Sequence, residues 1–97
     1  MTNQGNSPTV GDFDMLPAQC RMARAALGMK IAELAELANV STNTVVRFER
    51  GEELKSATVR SIKGALQRAG ISFIPENGGG AGVRFSMPTN RKSIESS

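Results

Sequence analysis

The strongest constraint on this chain is a repeating period. From residue 16 to residue 69 the apolar residues recur at helical spacing, in four stripes cut apart by short polar breaks. Leu16, Cys20, Ala23 and Leu27 are spaced 4, 3 and 4, which puts them on one helix face. Pro17 suits the first turn of that helix, and Gly28 suits the left-handed position just past its end. Ile31, Leu34, Ala35 and Ala38 make a second, short stripe, closed by Asn39-Val40-Ser41. Ser41 can then accept a hydrogen bond from a free N–H of a third helix, over about 42–50, with Val45 and Phe48 inward and Gly51 as terminator. Val59, Ile62, Leu66 and Ala69 form a fourth stripe, with Ser56 as its expected cap and Gly70 as its end.

After Gly70 the period changes. Ile71-Ser72-Phe73-Ile74 and Val83-Arg84-Phe85-Ser86 are short runs rich in β-branched and aromatic residues, with a turn-rich stretch between. They predict a hairpin. Two strands alone are marginal in water, so the hairpin must pack on the helices or on another chain. The edges of the hairpin, with Phe73 and Phe85, make it the expected dimerisation element. Gly78-Gly79-Gly80-Ala81-Gly82 is not a phosphate loop, because it lacks the Gly-Lys-Ser/Thr ending and no helix follows it.

Composition bounds the chemistry. The 97 residues contain no His and one Cys, so there is no Ser–His or Cys–His unit, no imidazole metal site and no internal disulfide. No enzyme, cofactor or metal site is expected. Cys20 lies on the apolar stripe of the first helix and reads as a small core residue. No apolar run approaches the length of a membrane span, and Met1 to Pro8 lacks the basic start and apolar core of a secretory signal. A cytoplasmic, nucleoid-associated protein is the expectation. Polar residues 1–13 read as a flexible arm and 88–97 as a flexible tail, flanking a domain over 14–70 and the hairpin over 71–87. The formal net charge is +3, and the excess is local: residues 21–75 hold nine bases and five acids.

The second helix, its three-residue break and the third helix form a helix-turn-helix. Ala35 is small enough to let the helices approach, and Val40 is an apolar plug in the turn. With Val45 and Phe48 inward, Thr42, Asn43, Val46, Arg47 and Arg50 fall on the outer side. Short polar side chains at a helix start, with Arg a turn later, can reach base edges in a major groove. Arg47 and Arg50 also suit the C-terminal end of a helix through its dipole alone. Arg60, Lys63 and Arg68 read as a solvated face, and the loop carrying Glu52 and Glu53 as directed away from DNA, since these acids would repel phosphate.

Residues 16–70 resemble the phage repressor/Cro family, the XRE-type helix-turn-helix. The resemblance rests on the Leu34-Ala35 pair, the Val40-Ser41 turn and the Phe48-Glu49-Arg50-Gly51 ending. The tract from Ala65 to Gly80 is similar to that of small bacterial regulators in which a β element follows the helices. The resemblance implies a mainly α, lambda-repressor-like DNA-binding domain of four to five helices with a short C-terminal β-hairpin. It implies base contacts from Thr42, Asn43, Val46 and Arg47, and phosphate contacts from Lys30, Arg50, Lys55 and Ser56. It also implies an internal ion pair between Arg24 and Glu49 that holds the recognition helix. One departure stands out. Lys30-Ile31 replaces the usual Ser/Thr-Gln, whose Gln grips a phosphate, so Lys30 and the backbone N–H groups are left for that contact.

The implied function is sequence-specific binding of double-stranded DNA by a small transcriptional regulator, as a homodimer on a palindromic site. The competing expectation is an antitoxin, or another module that binds a small protein partner and autoregulates its promoter.

Overall fold

The computed structural model describes residues 14–87; the arm over 1–13 and the tail over 88–97 lie outside them. The elements run α1 (Pro17–Leu27), α2 (Ile31–Ala38), α3 (Thr42–Glu49), α4 (Ser56–Arg68), β1 (Ile71–Ile74) and β2 (Gly82–Phe85). The architecture is mainly helical with a two-stranded C-terminal hairpin, as expected for a lambda-repressor-like domain.

Three helices stop by the same device. Gly28 (φ 64), Asn39 (φ 59) and Gly51 (φ 97) take left-handed conformations immediately or shortly after α1, α2 and α3. In each case the N–H of the next residue reaches back to a carbonyl in the last turn: Met29 to Arg24, Val40 to Ala35, Glu52 to Arg47. This is the Schellman pattern, which places the residue after the left-handed one over the end of the helix. At α2 that residue is Val40, so the turn motif delivers its plug to the core. Ser41 caps α3, its Oγ accepting from the Thr44 N–H at 3.0 Å.

The core is formed by Cys20, Ala23, Leu34, Ala35, Val45, Phe48, Ile62, Ala65, Leu66, Ile71 and Phe73, with a few flanking residues. Leu34, Ile62 and Leu66 are fully buried, each worth about 1.5–3 kcal/mol of transfer free energy. α2 packs on α3 and α4, while α1 packs on α3 and β2. The strands pair antiparallel with Ile71 opposite Phe85 and Phe73 opposite Val83.

Several expectations need correction. Leu16 is 48% exposed, because it precedes Pro17 as the cap residue and does not join the stripe; Met15 and Gln19 are buried instead. Ser56 is the first residue of α4, not its cap; Lys55 takes the cap position without a side-chain bond. Lys63 is buried at 4% exposure, its ammonium 5.8 Å from the centre of the Phe73 ring, so it is not on a solvated face. Phe73 is buried within its own chain and needs no partner, whereas Phe85 stays 42% exposed.

Gln19 is the residue that joins the hairpin to the helices. Its Oε1 accepts from the Leu16 N–H at 2.9 Å, closing the start of α1. Its Nε2 donates to the carbonyls of Ile74 at 3.0 Å and Gly82 at 2.9 Å. Those two residues face each other at the loop end of the hairpin. One buried amide therefore holds both strands against α1.

Candidate nucleic-acid interface

The inner side of α3 is fixed by what it buries. Val45, Phe48 and Glu49 are enclosed. At 100° per residue, that turns Asn43, Arg47 and Arg50 toward the opposite side and leaves Thr42 and Val46 along its edge. Thr42 and Asn43 are exposed in the first turn, Val46 is half-buried, and the side chains of Arg47 and Arg50 are 43% and 67% exposed. Of the residues expected to touch bases, Asn43 and Arg47 thus lie in an outward row with Arg50, and Thr42 and Val46 border it on one side. Lys30 at the start of α2, and Lys55 and Ser56 at the start of α4, are exposed. A depression lined by Ser41, Thr44, Arg47, Glu53, Lys55 and Thr58 links α3 to the start of α4. Ile31, which replaces the usual phosphate-gripping Gln, packs half-buried against the core.

Beneath the row lies a charged anchor. Arg24 Nε and Nη2 each donate to Glu49 at 2.7 Å, a fork on both carboxylate oxygens. Arg24 Nη1 also donates to the Met29 carbonyl at 3.2 Å, tying α1 to the start of the turn before α2. Cys20 Sγ donates to Glu49 Oε2 at 3.2 Å, and Arg21 donates to the Glu49 main-chain carbonyl. Burial by itself would raise the Glu49 carboxyl, but the bonds from Arg24 and Cys20 outweigh it and hold the group below the usual carboxylate range. The Arg24 guanidinium is raised by the same contact. Burial, followed by the neighbouring carboxylate, pushes the Cys20 thiol far up, so it stays protonated. Helix α3 is therefore pinned to α1 by three donors converging on one carboxylate, and the outward row is held on a rigid support.

Glu52 does not point away from this surface. Its Oε1 accepts from Arg47 Nε at 2.8 Å, and its Oε2 lies 3.9 Å from Arg50 Nη2. The Arg47 hydrogen bond holds the Glu52 carboxyl below its ordinary value. The expectation that the acidic loop turns aside fails because Gly51 folds the chain back: the Glu52 N–H bonds to the Arg47 carbonyl at 3.1 Å. The signal was present as a base and an acid five residues apart across a helix-ending glycine. Gln19 gave no such signal, since its acceptors lie far along the chain.

No described helix is long and apolar enough to cross a membrane. A family model described as helix-turn-helix matches residues 21–72, which spans α2, α3 and α4 together with most of α1. No curated protein sequence matches the chain.

Proposed function

The chain belongs to the helix-turn-helix family, a family of XRE-type DNA-binding regulators, and from that premise we propose that it reads specific sequences in double-stranded DNA through α3. Thr42, Asn43, Val46 and Arg47 contact base edges in the major groove. Lys30, Arg50, Lys55 and Ser56 contact phosphates, which sets affinity and salt dependence but not sequence choice. Arg24 and Glu49 touch no DNA and hold the reading helix in place. The observation that carries this reading is the outward row on α3 above a buried, ion-paired inner face.

One α3 spans too few base pairs to be selective alone, so a homodimer on a palindromic site follows, with half-sites about one helical turn, roughly 34 Å, apart. Phe85 and Met87, exposed at 42% and 72%, support the hairpin as the dimer contact. Because Ile71 and Phe73 belong to the core, deleting the hairpin would unfold the domain. Phe85→Glu is the cleaner probe, and a dimer that survives it in sedimentation removes the hairpin from the interface.

The test of base reading is selection of bound duplexes from a random library, followed by binding of Asn43→Ala and Arg47→Ala to the selected site. Each is expected to cost about 1–3 kcal/mol on that site and to relax preference at one position. Equal losses on selected and random DNA overturn the assignment.

A further inference from the structure

We propose that Glu52 is a positioning residue for sequence readout: its carboxylate takes the Arg47 Nε and leaves the two terminal nitrogens as an end-on fork for a guanine edge. The inference rests on the reading of α3 as the base-contacting helix.

Arg carries five N–H donors: one on Nε and two on each terminal nitrogen. It can meet the O6 and N7 of guanine either side-on, through Nε and one Nη, or end-on, through both Nη groups. At 2.8 Å from Glu52 Oε1, Nε is engaged. Among the described residues the terminal nitrogens of Arg47 have no acceptor. Only the end-on fork remains for a ligand.

The constraint on Glu52 comes from the backbone. In the Schellman pattern ending α3, Gly51 takes φ 97, the Gly51 N–H bonds to the Phe48 carbonyl at 2.9 Å, and the Glu52 N–H bonds to the Arg47 carbonyl at 3.1 Å. This motif brings the residue after the glycine next to the side chain five positions earlier, a place usually filled by an apolar pair. Here an acid and a base fill it. Arg47 and Glu52, whose side chains are 43% and 42% exposed, are joined by two bonds, one between backbones and one between side chains. An arginine on an exposed helix face otherwise samples many rotamers, and ordering it on binding opposes affinity. A carboxylate this close to the DNA face also repels phosphate. The arrangement therefore lowers binding to arbitrary sequence while favouring the one base pair that satisfies the oriented fork.

The experiment uses the full chain, the duplex selected from a random library, and every single base-pair variant of that duplex. Arg47→Ala defines which base pair Arg47 reads. Glu52→Ala is expected to flatten preference at that base pair by about tenfold, within the range one bidentate arginine contact discriminates. It should leave other positions unchanged and strengthen binding to a random duplex. The double variant should match Arg47→Ala in its base preferences. If Glu52→Ala strengthens binding to all sequences equally, Glu52 acts only as a repelling charge and the proposal is overturned. A further loss of preference when Glu52→Ala is added to Arg47→Ala overturns it too. If no site is enriched, or Arg47→Ala keeps the wild-type profile, the base-reading assignment itself fails and this proposal falls with it. Should thermal melting show Glu52→Ala unfolded, Glu52→Gln repeats the comparison with the charge removed and the side chain's size kept.

Discussion

Replacing Arg24 by Met removes the guanidinium that anchors α3 while keeping a long apolar stem on a helix that tolerates either residue equally well. The change deletes both forked bonds to Glu49 and the bond to the Met29 carbonyl. It leaves a carboxylate whose side chain is 7% exposed with, among the described residues, only the Cys20 thiol to donate to it. Breaking a buried pair at one end costs about 3–5 kcal/mol. The 20% exposure of Arg24 puts this pair at the lower end, about 3 kcal/mol. For a domain of this size each kcal/mol lowers Tm by about 4 °C or more, so a drop of about 12 °C is expected. The pH dependence gives a second, independent reading. In the wild type the Glu49 carboxyl is held below its unfolded value. Its stabilisation is complete above the unfolded pKa of about 4.3 and disappears as pH falls through the lower, folded value. In Arg24→Met the buried carboxyl is left poorly compensated, so its pKa rises and protonation relieves the variant. The gap between the two proteins should narrow from neutral pH into acid. Urea titrations followed by circular dichroism at pH 7 and at stepwise lower pH measure both effects. A loss below about 1 kcal/mol at neutral pH, or a gap that is constant with pH, would refute the anchoring argument.

Other outcomes follow from the same geometry. Gln19→Leu removes three hydrogen bonds and is expected to cost about 2 kcal/mol, with amide exchange accelerating first in β1 and β2. Gly51→Ala meets no atom but must hold φ 97, so it should cost about 1–3 kcal/mol by backbone strain alone, and Asn should recover part of that loss. Cys20 should resist thiol reagents at pH 8 in the native state and react once urea unfolds the chain, because burial suppresses its thiolate. Rapid native-state labelling would contradict its place in the core.

Much of the fold was legible because it depends on local rules. Helical spacing marked all four helices; Ser41 and the left-handed residues Gly28, Asn39 and Gly51 marked where they start and stop. Local rules failed where a distant partner decides the matter. Gln19 reads as a polar residue on a helix, and only the hairpin carbonyls make its burial tolerable. Lys63 reads as surface charge until the fold buries it and sets its ammonium over the Phe73 ring of β1. Leu16 fits the apolar period, yet it sits one residue before the helix, where the period no longer applies. In the interface, the outward row on α3 follows from the inward pair Val45 and Phe48. The contact of Glu52 with Arg47 required recognising that a glycine-ended helix folds the next residue back onto its last turn.

Helix α3 is the surface proposed to meet DNA. Titrating the isotopically labelled full chain with its selected duplex, and following backbone amide shifts by NMR, tests this directly. The largest changes are expected across Ser41 to Arg50, with further changes at Lys30, Lys55 and Ser56 and little change in the interior of α4. Shifts concentrated on the hairpin and the outer face of α1, with α3 unmoved, would contradict it.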